Sequence, residues 1–216
     1  MNRGSPDFHP ALRALHWLMA VMVLAMLFIG VGMVSTAGPP YPALLALHRP
    51  IGIAILVLVL IRLPLRLATG TPALPDDLSP LEKSVAKGSH VLLYAVMMGT
   101  PLIGWAMLSA GGYPIQVTKG FVLPPILPHN LDLYAFLREV HTIVAFLFFA
   151  LILAHLAAAL VHGLIRKDGV LRSMTVGHPV SAKDDALIDG PKAVDAAAPE
   201  AATARDVEGK GYPEAD

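Results

Sequence analysis

The segment REVHTIVAFLFFALILAHLAAALVHG, residues 138–163, decides the fold because it is almost entirely apolar yet contains three histidines. About 20 apolar residues form a helix long enough to cross the hydrocarbon core of a bilayer, so the segment predicts a transmembrane helix. Bringing an imidazole into lipid costs free energy, and polar side chains at that depth usually mark a site or an interhelical hydrogen bond. His141, His155 and His162 are therefore candidates for either role.

The composition places the whole chain in the same class. It has 216 residues, of which 55% are hydrophobic and 15% charged, and its mean hydropathy is +0.62. This balance is typical of a small polytopic membrane protein rather than a soluble domain, so membrane lipid is the expected surrounding. The formal net charge is zero, and nothing indicates a nucleic-acid partner.

The sequence contains no cysteine. This excludes disulfides, iron–sulfur clusters, zinc sites with thiolate ligands and covalently attached c-type haem. A redox centre in this chain must be held by histidine or methionine, or bound without a protein ligand. The nine histidines and nine methionines leave that possibility open.

Four apolar stretches are long enough to cross a bilayer, and proline-rich segments separate them. The first is longer than the apolar region of a typical signal peptide, so we expect it to be retained. We predict an all-α membrane protein, a four-transmembrane-helix bundle. The predicted spans are Leu12 to Val34, Leu44 to Leu67, Lys87 to Leu108 and Leu137 to Ile165.

The basic residues near the helix ends predict the orientation. Most of them fall on the side of the bundle that holds both termini, and only Arg49, Lys119 and Arg138 fall on the other side. By the positive-inside rule both termini lie in the cytoplasm, and the protein is a multi-pass protein of the bacterial inner membrane. The residues on the cytoplasmic side are Arg3, Arg13, Arg62, Arg66, Lys83, Lys87, Arg166, Lys167 and Arg172.

The composition changes at both ends of the predicted bundle. We predict a short cytoplasmic amino-terminal segment at 1–10 and a transmembrane domain at 11–175. The remainder, 176–216, consists largely of Ala, Asp, Glu, Pro and Lys with few large apolar residues. Such a segment cannot bury enough apolar surface to fold, so it predicts a disordered cytoplasmic tail.

The spacing of the histidines predicts two levels in the membrane. His155 follows His141 by fourteen residues, about four helical turns or about 21 Å, and the two rings project within about 40° of each other. The second and fourth spans start at the same membrane face, so His48, at the start of the second span, is level with His141. The first span runs the opposite way and places His16, near its start, level with His155. The sequence therefore predicts two opposed pairs, one near each membrane face.

Two facing imidazoles in a helical bundle suit axial ligation of a haem iron, whereas zinc requires four ligands in a tetrahedron. With both axial positions filled, such a haem is suited to electron transfer, and two haems would carry electrons across the bilayer. A single intramembrane histidine is more often a hydrogen-bonded structural residue. The two depth-matched pairs favour the haem interpretation.

The chain also resembles the bacterial four-helix cytochrome b561 proteins, a family that includes membrane-bound superoxide oxidase. The resemblance runs from Ala11 to Thr175 and depends on several motifs together. The motifs are Leu15-His16-Trp17, His48-Arg49-Pro50-Ile51-Gly52, Arg62 and Arg66 before Pro72 and Pro75, His90-Val91-Leu92-Leu93-Tyr94, Pro101-Leu102-Ile103-Gly104-Trp105, Glu139-Val140-His141, and His155 with His162.

The resemblance implies two non-covalent b-type haems with His16, His48, His141 and His155 as axial ligands of the iron. It also implies electron exchange with membrane quinone. The best-defined activity in the family takes an electron from periplasmic superoxide and passes it to ubiquinone, which would make this chain a superoxide:quinone oxidoreductase. The segment 112–121 departs from the family pattern and faces the periplasm, so the resemblance defines the electron donor less well than the ligands.

Other residues have two or more possible roles. Arg49, Lys119 and Arg138 are candidates to attract superoxide, and equally to anchor the chain at lipid headgroups. His162 could contact a quinone carbonyl and relay a proton, contact a haem propionate, or simply snorkel to the membrane surface. His90 could contact a propionate, make a structural hydrogen bond or replace a ligand. Arg62, Arg66 and Lys87 could pair with propionates or serve as anchors.

Two other functions remain open. The chain could be an electron-relay cytochrome b subunit between quinol and a separate, periplasmic redox protein. It could also be a haem-free metal or solute transporter that uses the histidine pairs. Cation pathways usually need intramembrane carboxylates, and the four predicted spans have almost none. Electron transfer is therefore the function class that we predict.

Overall fold

A computed structural model describes residues 7–36, 38–75, 77–118 and 120–176. Four long helices dominate the described part, and each is apolar and long enough to cross a membrane. The predicted four-helix membrane fold is therefore confirmed. The predicted tail lies outside the described residues except for Val176, as do residues 1–6 of the predicted amino-terminal segment. The helices are α1 (Pro10–Ser35), α2 (Pro40–Thr69), α3 (Pro80–Ala110) and α4 (Leu131–Leu160).

Polar caps and prolines set where the helices begin. α3 begins at a capping box in which the Ser79 hydroxyl accepts from the Glu82 amide and the Glu82 carboxylate accepts from the Ser79 amide. The Asn130 side chain accepts from the Leu133 amide and caps α4. α3 and α4 therefore begin seven and six residues before the predicted spans at Lys87 and Leu137. The apolar run marks only the part of a helix that lies in lipid.

The connection between α3 and α4 contains a small antiparallel hairpin, β1 (Ile115–Thr118) and β2 (Phe121–Leu123). Ile115 is buried, and β1 packs against α2. The indole N–H of Trp105 donates to the Pro124 carbonyl at 3.0 Å and holds the connection to the end of α3. We call this end of the bundle the hairpin face.

The opposite end, which we call the amino-terminal face, holds the start of α1, the α2–α3 connection and the end of α4. Here α4 continues as a π-helical segment, Val161–Arg166, and a left-handed turn at Lys167 leads into a short helix, α5 (Val170–Met174). Arg166 donates to Asp77 at 3.1 Å and to Glu82 at 3.0 Å. These contacts tie the end of α4 to the start of α3.

α5 folds back onto α1. The Arg13 guanidinium donates to the Thr175 carbonyl, and the Trp17 indole donates to the Met174 carbonyl at 3.0 Å. Gly163 leaves room for the Leu171 side chain, which a Cβ added at Gly163 would contact. The last described residues of the chain therefore cover the start of the first helix.

Neighbouring helices pack in the order α1–α2, α2–α3 and α3–α4. A buried apolar layer of Met19, Leu56, Val59 and Tyr94 lies among the first three helices. α4 contributes no buried residue to the described part, although its apolar window has a mean hydropathy of 2.7. About half of its large apolar side chains are exposed and the others are partly buried, as suits a helix that faces lipid on one side.

Candidate functional site

Two histidine rings face each other near the hairpin face. His48 lies in the first part of α2 and His141 in the first part of α4, and their ring centres are 6.1 Å apart with the planes at 69°. The Nδ1 atom of His48 is buried and has no hydrogen-bond partner among the described residues. We call these two residues the hairpin-face pair.

α3 shapes the position of the His141 ring. Gly104 lies against it, and a Cβ added at Gly104 would be 3.2 Å from His141 Cε1. The Thr100 backbone is in polar contact with His141, although the buried Nδ1 atom makes no hydrogen bond of normal geometry. A small residue at Gly104 is thus what allows the ring to lie this close to α3.

Three histidine rings meet near the amino-terminal face. The ring centres of His16 on α1 and His155 on α4 are 6.3 Å apart, with the planes at 72°. His90 on α3 lies 5.9 Å from His155, with the planes at 77°. We call these three residues the amino-terminal cluster. Its third ring belongs to α3, a helix that supplies no ring to the hairpin-face pair.

The protonation of His90 follows from its backbone contact. Its Nδ1 lies 2.7 Å from the Ala86 carbonyl oxygen. A carbonyl oxygen can only accept, so Nδ1 carries the proton and a neutral ring leaves its Nε2 lone pair available. A metal-binding histidine usually donates its second N–H in this way. His90 thus has the chemistry of an alternative ligand opposite His155 as well as of a structural hydrogen bond.

The spacing of the rings fits a haem. An iron bound by two imidazole nitrogens at about 2 Å on opposite sides holds the two ring centres about 6 Å apart. The pairs His48–His141 and His16–His155, at 6.1 and 6.3 Å, both match this separation. The described residues contain no cluster of three or more His, Cys, Asp or Glu side chains able to hold a metal ion. Bis-imidazole ligation of a haem therefore suits these residues better than a tetrahedral metal site.

An arginine and a tyrosine lie beside the amino-terminal cluster. Arg62 on α2 is only 8% exposed, and its Nη1 donates to the Tyr94 hydroxyl at 2.7 Å. The guanidinium carbons of Arg62 and Arg66 lie 5.6 and 5.3 Å from the centre of the Tyr94 ring. Arg62 is close enough to interact electrostatically with His16 and His155. Its Nε atom is buried without a hydrogen-bond partner among the described residues.

The three cations predicted to attract an anion differ in placement. Arg49 follows His48 directly, interacts electrostatically with that ring, and has a buried Nε atom with no hydrogen-bond partner among the described residues. Arg138 is exposed on the first part of α4. Lys119 lies outside the described residues. Of these three, Arg49 is therefore the cation whose electrostatic interaction with a histidine is seen among the described residues.

His162 lies in the π-helical segment rather than in regular α-helix. Its Nδ1 contacts the Asp168 carboxylate, which also accepts from the Val170 amide. Burial raises the pKa of Asp168, but the contacts with His162 and Val170 outweigh it, so the pKa lies below its ordinary value. Asp168 is therefore ionised near neutral pH and holds His162 at the amino-terminal face.

A cleft of about 380 Å³ opens beside the amino-terminal cluster. Arg66, Lys87 and His90 supply polar groups to its wall, and Phe8 and Leu74 supply apolar surface. Mixed walls and a volume of this size are typical of sites for small organic molecules.

Sequence reasoning missed two partners in this region. The contact of Asp168 with His162 depends on the left-handed turn at Lys167, which the sequence marks only by the neighbouring Asp168-Gly169. Tyr94 was noted as part of a motif but given no role. Its position four residues after His90 places both on one face of α3, which is the signal that could have revealed it.

Comparison with known proteins places these residues in a family context. The sequence profile of the family described as prokaryotic cytochrome b561 matches residues 7–177. The chain is 29% identical to cytochrome b561 homolog 2 of Escherichia coli strain K12 over 163 residues, which cover 74% of this chain and 87% of that protein. It is 30% identical to the probable superoxide oxidase CybB of Yersinia pestis over 161 residues, which cover 74% of this chain and 90% of that protein.

Proposed function

The chain belongs to the prokaryotic cytochrome b561 family, and from this premise we propose that it oxidises superoxide and reduces ubiquinone. Membership in this family makes it a multi-pass bacterial membrane cytochrome that binds b-type haem and transfers electrons. In the proposed reaction two superoxide anions each give up one electron and leave as oxygen. One ubiquinone takes the two electrons and two protons and leaves as ubiquinol.

The proposal depends above all on the two ring pairs at 6.1 and 6.3 Å. His48 and His141 would hold one haem and His16 and His155 a second, within a domain at 11–175. When bound, each b-type haem supplies an iron that accepts and gives up one electron at a time. With two histidines holding each iron, no coordination position would remain for oxygen to bind to the metal.

We place the amino-terminal face in the cytoplasm and the hairpin face in the periplasm of a bacterial inner membrane. The basic residues support this orientation, because Arg13, Arg66 and Arg166 lie at the amino-terminal face. Basic residues near helix ends are retained on the cytoplasmic side. Superoxide would then arrive at the hairpin face and ubiquinone at the amino-terminal face.

Arg49 and Arg138 would attract superoxide to the hairpin face, together with Lys119. Arg49 is the better supported of the two described cations because it interacts with His48. Cations near a site raise the association rate of an anion by about 10- to 1,000-fold at low salt. The probable superoxide oxidase of Yersinia pestis, at 30% identity, supports this choice of donor.

Ubiquinone would bind in the cleft beside His90. Arg66 and Lys87 can donate hydrogen bonds to its carbonyl oxygens, while Phe8 and Leu74 provide apolar contact. His162, held by Asp168 at the same face, can relay protons from the cytoplasm, since the contact with Asp168 leaves Nε2 of His162 available. A propionate contact is the other role that the position of His162 allows.

Stopped-flow spectroscopy of the purified protein in detergent tests this proposal. The expected result is two b-type haems per chain that are reduced by superoxide and reoxidised by a short-chain ubiquinone. The rate constant with superoxide should fall severalfold between low salt and 0.15 M, because salt screens exposed charges. Replacing Arg138 by Gln should weaken this salt dependence, and the matched change Arg172→Gln on the opposite face should not.

Each other outcome has a definite meaning. Two haems that ignore superoxide but are reduced by quinol would show an electron-relay subunit that works with a separate redox protein. Protein that binds no haem at all, even when haem is added during purification, would overturn the ligand assignments.

A further inference from the structure

α2 and α4 each place one polar residue at both sites, with the same spacing along the helix but with different residue types. On α4, fourteen residues separate His141 from His155, and on α2 fourteen residues separate His48 from Arg62. Fourteen residues return a helix to nearly the same face, about 21 Å further along. α2 therefore contributes a histidine at the hairpin-face pair and an arginine at the amino-terminal cluster. There, His16 on α1 takes the position opposite α4.

Arg62 lies five residues before the end of the predicted span Leu44 to Leu67, and its side chain is buried in the bundle. It is 8% exposed, and it lies one turn after Val59, which is fully buried in the apolar layer with Tyr94. An ionisable residue at this depth is costly unless it faces a partner of opposite charge. Tyr94 accepts one hydrogen bond from Arg62, but it is neutral and does not balance the charge.

The described carboxylates near this end of the bundle are engaged elsewhere. Asp77 and Glu82 pair with Arg166, and Asp168 pairs with His162. No salt bridge to Arg62 occurs among the residues that the structure describes. Its buried Nε lacks a hydrogen-bond partner in the same part of the chain. The position thus requires an anion, and a carboxylate gives a guanidinium the best match in shape.

Haem carries two propionate carboxylates, and Arg62 is close enough to His16 and His155 to interact with both electrostatically. We propose that Arg62, held by Tyr94, binds one propionate of the haem between His16 and His155 and raises the reduction potential of that haem above that of the other. The inference rests on the two haems of the proposed function. It assigns Arg62 as a positioning and charge-setting residue.

The direction of the shift in reduction potential follows from the charges near the two haem sites. Reduction adds an electron, so a buried positive charge nearby stabilises the reduced form. Arg62 is buried and offsets the negative charge of one propionate, whereas Arg66 and Arg49 are only partly buried, so solvent screens Arg62 least and Arg62 stabilises the added electron most. At the hairpin-face pair Arg49 is the neighbouring cation. Electrons would therefore move energetically downhill from the hairpin face to the amino-terminal face.

Optical redox titration of the two haems in Arg62→Gln tests the inference without any substrate. We expect one of the two potentials to fall, with at least a tenfold change in the ferrous-to-ferric ratio at fixed applied potential. For a one-electron couple this is 59 mV. Arg62→Lys keeps the charge and should restore most of the shift. Arg66→Gln, the matched control on the same helix, should change that potential much less.

Tyr94→Phe covers the case in which Arg62→Gln fails to accumulate, since it keeps the charge and removes only the hydrogen bond at 2.7 Å. It should lower the same potential by a smaller amount. Two haems with unchanged potentials in Arg62→Gln, or in Tyr94→Phe where only that variant can be made, would overturn this inference and leave the proposed function intact. Wild-type protein without haem would overturn the proposed function itself.

Discussion

The hairpin-face pair and the amino-terminal cluster are built from the same helix yet differ in what surrounds them. At the hairpin face two rings meet beside Gly104, which brings no polar side chain. At the amino-terminal face a third ring, His90, and a buried arginine join them, and a cleft opens alongside. A repeated spacing on one helix can thus place similar ligands at two depths, while the other three helices decide what each site can do.

The strongest test of this difference removes His48, because no other described imidazole can take the place of its ring. His48→Ala should reduce bound haem from two to one per chain, because the described residues offer no third ring near His141. The pyridine haemochrome assay measures this directly. His129→Ala, an exposed histidine on the same face, is the control and should keep both haems. Two haems in His48→Ala would show that His141 has another partner.

The next test asks whether the third ring is a spare ligand. We expect His90→Ala to keep two haems and His16→Ala to keep one, since His16 and not His90 is the proposed partner of His155. Haem content and the spectrum of each variant decide between the two rings. The reverse pattern would assign the iron to His90 and leave His16 with a structural role.

A smaller change at the hairpin-face pair tests how closely that site is packed. Gly104→Ala places a methyl group 3.2 Å from His141 Cε1, and overpacking of this kind costs about 1–3 kcal/mol. Haem retention at this site should weaken by about fivefold or more, measured as transfer to apomyoglobin. Gly99→Ala on the same helix meets nothing within 4 Å and should leave retention unchanged. Equal effects of the two changes would argue against close packing of His141.

The smallest effect concerns pH and is expected at the amino-terminal face alone. The pKa of Asp168 is lowered in the fold, so its contribution is fully present above the ordinary value of about 4 and is lost as the pH falls through the lowered value. The Trp17 indole N–H, which donates to Met174, reports on α5 by NMR. Its resonance should respond to Asp168 only below about pH 4, and Asp168→Asn should abolish that response. A response at pH 5 to 7 that depends on Asp168 would contradict the sign of the shift.

The sequence predicts the membrane helices well because apolar length is a property of one segment at a time. The starts of α3 and α4 were placed too late, since Ser79 and Asn130 act through backbone hydrogen bonds outside the apolar run. The strands 115–118 and 121–123 were not predicted, because four prolines in that connection exclude a continuous helix without specifying a hairpin.

The features of the candidate site are likewise predictable from the sequence only in part. Depth along the helices is enough to place His48 level with His141, because α2 and α4 both start at the hairpin face, and the role of these rings as ligands stays a prediction. The approach of His90 to His155 depends on the position of α3 relative to α4, which no spacing within one helix determines. The contact between Asp168 and His162 depends on a left-handed turn at Lys167. Sequence patterns thus predict rings on one helix face better than contacts that require a turn or a third helix.

The contacts that close the amino-terminal face form late during synthesis of the chain. Its ties join residues far apart in the chain, with Arg13 bonded to Thr175 and Arg166 to Glu82. Residues 166–175 leave the ribosome after all four membrane helices have been made, and chains are extended at about 5–20 residues per second. Until then the start of α1 lacks its cover, so the amino-terminal face stays open during biogenesis and is closed by α5, the last of the described helices to emerge.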